Sequence, residues 1–564
     1  MRVEIFRHAQ RSTLRAGVRF SVLLLPLLAP LASAQTAPDA GRVLEQTTPA
    51  PTPPPTSTLN LHIEERPAIS LPDSETIAVT RIRVTGATRV SEETLHAAVA
   101  QLEGKTVSLA ELQALAQRIT RIYRDRGYLL SRAYIPAQEI KDGVVEIAVL
   151  EGRLAALRVE NKSDLHGPAL AALNRIPLGE PLTARDLERA LLLANDTPGA
   201  NVKATLIPGA RVGTSDLLVE VDPARRIEGT LSADTHGNRN TGRFRAGLDL
   251  AFNNPLALGD QLTFTALASL EDMYYVRAGY HLPVNRWGTR IGVSYAWLDY
   301  ALGEQFAALD ADGTAQIASL HVKHPFVRSR SFNLYGELQY EHKELEDRLG
   351  AFDIESDKEL HDWTLGIVGS FVDSGGRGSN AFAVRYTHGD LSLDPITQAI
   401  DAATARTSGN FGKWTINLQR AQPLTPSFSL YLSYLGQFAD GNLDSAEKLS
   451  LGGAYAVRAY PQGEAPGDEI HLFTLEARWR APIRLHGEWT FSGFVDHGEA
   501  RINHSPWDAG DNRRELTGAG VGLNVELPAG FSIRGNLAWR VGNERPQGDR
   551  DRAPRAWMYA AKHF

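Results

Sequence analysis

Residues 473–480 read Phe-Thr-Leu-Glu-Ala-Arg-Trp-Arg. In extended chain, successive side chains point to opposite faces. Phe473, Leu475, Ala477 and Trp479 then share one face, and Thr474, Glu476, Arg478 and Arg480 the other. The pattern recurs across the second half of the chain. Tyr274, Val276, Ala278, Tyr280 and Leu282 oppose Tyr275, Arg277, Gly279 and His281. Phe332, Leu334, Leu338 and Tyr340 oppose Asn333, Glu337, Gln339 and Glu341. Phe531, Ile533, Leu537 and Trp539 oppose Ser532, Arg534, Asn536 and Arg540. An apolar face and a charged face, repeated this often, suit lipid outside and water inside. A soluble sandwich would bury the same apolar face in a core. Tyr274, Tyr280, Tyr340, Trp479 and Trp539 are read as lying near strand ends, where a membrane girdle sits, and they favour lipid. Residues 227–564 therefore predict a sixteen-stranded antiparallel transmembrane barrel, at about 21 residues per strand and loop.

Upstream the period changes. Residues 76–152 predict a small α+β module. Ile77 to Val84 alternates as a strand, Ser91 caps a helix through Leu102, and Ser108-Leu-Ala-Glu111 forms a capping box. That box opens a helix through Arg126, with Leu112, Leu115, Ile119 and Ile122 on one face. Strands Tyr128 to Tyr134 and Val144 to Leu150 follow, joined through Lys141-Asp142-Gly143. Residues 153–226 repeat this β-α-α-β-β order. Leu154 to Val159 is a strand, Pro168 to Leu173 a short helix, and Thr183 caps a second helix through Leu193. A hairpin, Val202 to Ile207 and Asp216 to Val221, turns at Pro208-Gly209.

The first 34 residues read as a secretory signal peptide. Arg2, Arg7, Arg11, Arg15 and Arg19 precede the apolar run Phe20 to Leu31, and Ala32-Ser33-Ala34 is a small-residue cleavage site. Its removal takes away five cations and one anion, so the net charge of −7 becomes −11. Neither value suits a nucleic-acid partner. Residues 35–75 hold a helix candidate, Pro38 to Gln46, with Asp39 as N-cap, then five prolines between Pro49 and Pro55. The helix is short and its apolar face is only Val43 and Leu44, so it needs a wall to lean on.

The 43% of hydrophobic residues and 22% of charged ones exclude general disorder. Cysteine is absent, which removes disulfides, zinc–thiolate sites and a thiol nucleophile. The 16 histidines show no metal-ligand spacing in sequence. Gly518-Ala-Gly520-Val-Gly522 lacks the following helix of a phosphate loop, and Asp310-Ala-Asp312-Gly313 reads as a turn rather than half a calcium loop. No catalytic constellation, metal site or cofactor is expected.

The order of these parts resembles the outer-membrane transporters of two-partner secretion, the TpsB branch of the Omp85 superfamily, which includes the haemolysin-activating proteins. Tyr123 to Ile135 with Val144 to Gly152 looks like that family's first POTRA module. Leu206 to Leu217 looks like the end of its second, Leu449 to Gly463 like its long loop L6, and Phe494 to Gly498 (FVDHG) like an inward motif of a late barrel strand. The resemblance implies a plug helix and linker (35–75), POTRA 1 (76–152), POTRA 2 (153–226) and a barrel with L6 at about 440–467. The family's loop tip, Val-Arg-Gly-Tyr, is Val457-Arg458-Ala459-Tyr460 here, with alanine replacing glycine. The resemblance implies that Arg458 reaches into the lumen and pairs with Asp496. The alternation agrees: Phe491 and Val495 face lipid, so Phe494, Asp496 and Gly498 face inward.

The implied function is export of a large partner exoprotein, haemolysin- or adhesin-like, from periplasm to cell surface. The implied partners are that exoprotein and outer-membrane lipid, with the chain acting as a monomer. The POTRA pair would capture the unfolded passenger by strand addition, in a groove between helices 91–102 and 108–126 and the sheet edge. An Omp85-type insertase would typically carry more POTRA modules. A passive porin would have no use for two, and no residues support a surface enzyme.

Overall fold

The computed structural model describes residues 37–47, 60–63, 76–375, 378–482 and 486–564. The signal-peptide reading and the prolines 49–55 lie outside the described residues.

In the first module the predicted strand Ile77–Val84 is two strands, β2 (Thr76–Val79) and β3 (Arg81–Thr85). Thr80 and Arg81 both donate their amides to the Gly143 carbonyl, and the chain changes sheets there. β2 pairs with a strand that alternation did not reveal, β4 (Lys105–Ser108). α2 (Glu92–Val99) ends three residues before the expected Leu102. α3 (Leu109–Asp125) opens on the Ser108/Glu111 capping box and buries Leu112, Leu115, Ile119 and Tyr123. Gly127, at φ 89°, ends it, and the Tyr128 amide returns to the Tyr123 carbonyl. The following strand therefore shrinks from Tyr128–Tyr134 to β5 (Arg132–Tyr134), and Leu129 and Leu130 pack on the second module instead. β6 (Val144–Leu150) is central, parallel to β3 and antiparallel to β5.

The second module runs β7 (Arg153–Asn161), a 3-10 helix (Gly167–Arg175), α4 (Ala184–Asn195), β8 (Ala200–Pro208) and β9 (Thr214–Pro223). The linker region contributes a strand that the sequence reading lacked. This is β1 by chain order, Asn60–Ile63, parallel to β8 at the edge of the second sheet. The module sits on the periplasmic turns of the barrel. Arg328 grips Asp196 with two bonds of 2.7 and 2.8 Å, and Arg189 donates to the carbonyls of Pro325 and Phe326.

Sixteen antiparallel strands, from Ile227–Asp234 to Arg555–His563, close into a barrel. The closing pair is short, Thr230–Asp234 against Tyr559–His563. No helix among the described residues is long and apolar enough to cross a membrane. Trp363, Leu365, Phe473, Leu475, Trp479 and Val495 lie exposed on the outside, while Asn333, Asp362, Phe494 and Asp496 are buried inside. Tyr340 corrects the girdle reading: it is mid-strand in Phe332–Leu349. It still marks a boundary, because the outward residues beyond it are His342, Glu344 and Glu346, and its ring packs 4.8 Å from that of Trp363. Above this level the wall continues as polar strand, longest in Ile354–Val372 with 19 residues. Asp310 ends a 3-10 helix in the left-handed region, while Asp312 and Gly313 belong to the strand Ala311–Arg328 rather than to a turn.

Candidate functional site: loop and helix in the lumen

The chain between strands Phe428–Ala439 and Glu469–Ala481 does not stay outside. It doubles back on itself, with Leu449–Ser450 paired to Pro466–Gly467 and the Val457 amide donated to the Leu451 carbonyl. The tip enters the lumen, where Val457, Ala459 and Tyr460 are fully buried.

Arg458 meets Asp496 in a forked pair. Its Nε lies 2.9 Å from Oδ2 and its Nη2 2.8 Å from Oδ1, and its own amide reaches Oδ2 at 3.2 Å. Thr474, directly opposite Asp496 across the strands, donates its hydroxyl to Oδ1 at 3.0 Å. Asp496 is 0% exposed, so each of these bonds replaces lost hydration. Three further contacts were not legible as partners of Arg458. Its Nη1 reaches Glu476 at 2.9 Å, its guanidinium lies 3.3 Å over the Phe494 ring, and its carbonyl accepts the Trp557 indole N–H at 2.8 Å. Glu476 faces Phe494 across the ladder, so strand register alone brings them to one guanidinium. The planar fork suits a carboxylate at one edge and a ring on its face, which an ammonium does not.

Small residues make the space. A Cβ at Gly518 would come within 2.6 Å of the Ala459 Cβ, and one at Gly498 within 2.7 Å of Leu451. Gly518 and Gly498 thus form a floor for the loop, while Gly520 leaves room for the Phe494 ring. Ala459 takes the family's glycine position without strain. The left-handed residues of this loop are Gly453, Gly463 and Ala465.

A second segment shares the lumen. α1 (Ala40–Thr47) packs Ala40 and Val43, both fully buried, against Met273, Tyr275, Leu298 and Tyr300 of the wall, with Leu44 partly buried beside them. Asp39 caps the helix through the Arg42 amide and pairs with Lys358 at 2.9 Å. The Ala40 amide reaches Asp347 at 2.8 Å. Glu45 accepts both the amide and the hydroxyl of Ser450, at 2.7 Å each. Gly41 lies so close to Ala446 that a Cβ would sit 2.5 Å from its backbone nitrogen. The helix is therefore gripped by the wall on one side and by the loop on the other.

A closed sixteen-stranded barrel, two POTRA modules at its mouth and an arginine-tipped loop pinned inside define an outer-membrane transporter of the Omp85 superfamily. The chain belongs to the haemolysin secretion/activation protein family ShlB/FhaC/HecB, whose model matches residues 213–525; the ShlB-type POTRA model matches 77–152. It is 29% identical over 82% of each chain to the heme/hemopexin transporter protein HuxB of Haemophilus influenzae (strain 86-028NP). It is 28% identical to the outer membrane transporter CdiB of Escherichia coli O6:K15:H31, over 79% of this chain and 76% of that one. The solved structure of CdiB from Escherichia coli superposes with a TM-score of 0.69, covering 88% of this chain and 93% of that one at 23% identity. The chain is an outer-membrane protein of two-partner secretion, with its POTRA modules in the periplasm.

Proposed function

We propose that the chain exports one large unfolded exoprotein, of the haemolysin or adhesin kind, and that its resting pore is shut by α1. One observation supports this above the rest: α1 is bonded at once to the barrel wall (Lys358, Asp347) and to the loop (Ser450). A segment so placed obstructs the path and must move for a chain to pass. The passenger adds as an extended strand along β5 beside α3, at the edge of the module's three-stranded sheet where Tyr134 is exposed. Arg458 and Asp496 hold the loop tip as a fixed part of the conducting path. Folding outside the cell supplies the pull. The transporter works as a monomer in outer-membrane lipid, and no step calls for catalysis.

The natural sequence has no cysteine, so a single introduced one is unambiguous. Tyr134→Cys should form a disulfide with cysteines placed in the N-terminal segment of the exoprotein encoded beside this gene, caught during secretion. Cross-linking at surface controls on α2 but never at 134 would refute capture at this edge.

A further inference from the structure

Just outside the Tyr340–Trp363 pair, the outer face of the barrel carries His342, His361 and Glu359. His342 stands directly opposite His361 in the ladder, and Glu359 lies two residues from His361 on the same strand and face. Their neighbours Lys343 and Asp362 point inward and are buried, which fixes the three on the outside. The hairpin joining these strands lies at the end remote from the POTRA modules, so the cluster is on the extracellular side.

One ligand atom from each of the three residues lies within 4.8 Å of the others. His361 Nε2 is 3.2 Å and His342 Nδ1 3.8 Å from the same Glu359 oxygen. A tetrahedral zinc site with bonds of about 2.0–2.1 Å has ligand–ligand edges of roughly 3.3–3.4 Å. The two edges to Glu359, 3.2 and 3.8 Å, are near that spacing, the third is within 4.8 Å, and rotation of the imidazoles, whose Nδ1 atoms now lie 3.3 Å apart, brings it in. The other nitrogen of each ring is also occupied. His342 Nε2 is 3.1 Å from Glu344, and His361 Nδ1 is 2.8 Å from the Tyr340 hydroxyl. A carboxylate or oxygen acceptor on the far nitrogen is how metal-bound histidines are oriented and their basicity raised.

We propose that His342, His361 and Glu359 form a surface site for a divalent transition ion of the zinc class. Glu344 and Tyr340 act as positioning residues, and the fourth position is open to solvent. Two imidazoles and one carboxylate select such an ion over calcium or magnesium, which favour all-oxygen sets. The bound ion ties together strands Phe332–Leu349 and Ile354–Val372, whose inward face holds Lys358 against α1.

The test uses full-length protein in detergent without a histidine tag, dialysed against zinc and, separately, cobalt. Wild type should hold one chelator-reversible zinc at micromolar free ion, and cobalt should give a tetrahedral visible spectrum. The double variant His342→Ala/His361→Ala should lose both signals while still running as a heat-modifiable barrel. Glu359→Gln and, through orientation alone, Glu344→Gln should each weaken zinc binding about 10–100-fold. The lumen pair His281 and His321, 2.8 Å apart, is the internal control, and His281→Ala/His321→Ala should leave the stoichiometry unchanged. Zinc uptake unaltered in His342→Ala/His361→Ala would mean adventitious binding and overturn the site, as would a wild type that takes up none.

Discussion

The loop tip and α1 occupy the same lumen and are held in different ways. Around Arg458, the carboxylates, the ring and the indole all come from barrel strands, and the glycine floor is cut to the shape of the tip. Around α1 the polar bonds sit toward its two ends with Val43 buried between them, on an eight-residue helix too short to persist alone. Half of its grip, through Ser450 and Ala446, belongs to the loop rather than to the wall. The tip is built as a fixture. On the proposed function the helix is the removable part, and it borrows the fixture for support.

The largest effect should come from breaking the fixture. Arg458→Ala leaves Asp496 buried without a cation, at a cost of about 3–5 kcal/mol, and Asp496→Ala leaves Arg458 with only its Glu476 ion pair. Export should fall sharply while a heat-modifiable barrel persists, because the strand ladder does not depend on the loop. The measurement is exoprotein in the medium against transporter abundance in the outer membrane. Full export from both variants would erase the distinction between fixture and removable part. Arg458→Lys should recover only part of the export, since an ammonium cannot fork onto Asp496 and also lie on Phe494.

Crowding each segment by one side chain gives the next contrast. Gly518→Val should push Ala459 off its floor and lower export. Gly41→Val should push α1 away from Ala446 and raise single-channel conductance with export retained. Deleting residues 36–46 should raise conductance at least as much. Unchanged conductance in planar bilayers after that deletion would remove α1 from the role of plug.

The smallest effect belongs to POTRA 1, away from both segments. Glu151 is buried at the end of the module's central strand. It accepts the amides of Thr88 and Arg89 at 2.6 and 2.7 Å, the Tyr123 hydroxyl at 2.8 Å and the Thr88 hydroxyl. Burial pushes its pKa up, but these bonds outweigh burial and hold it below the usual glutamate value, while burial and the Glu151 bond raise that of Tyr123. A depressed carboxylate stabilises the fold above its unfolded pKa, near about 4.3, and loses that contribution as pH falls through the folded value. Glu151→Gln should cost the module about 1.5–3 kcal/mol at neutral pH and flatten its loss of stability below pH about 4.3. Chemical denaturation of residues 76–226 at neutral and acid pH checks both.

How much of this was legible follows from the physics of each part. Barrel strands betray themselves because lipid on one side and water on the other impose a period of two, as in 473–480. Arg458 and Asp496 were legible through resemblance joined to that alternation. Glu476 was seen only as a charged face, and Trp557 not at all, because their meeting is set by register between strands far apart in sequence. His342 and Glu359 escaped for the same reason: no spacing rule spans a hairpin whose turn is not yet known. Ile77–Val84 alternates without a break, yet the Gly143 carbonyl splits it at Thr80. Asn60–Ile63 is a strand only because β8 offers an edge.

That short pairing bears on how a pore plugged by α1, as proposed, would reseal. With Asn60–Ile63 fixed to the second POTRA sheet, only residues 48–59 separate it from the end of α1. Twelve residues reach at most about 40 Å, so a displaced helix stays close to its own barrel. Its effective concentration there is on the order of millimolar, set by the tether and not by how many transporters the membrane holds. With α1 as the proposed plug, closure after each passenger is expected to be a first-order event, with a rate independent of expression level, and a cell that makes more transporters lengthens no single opening.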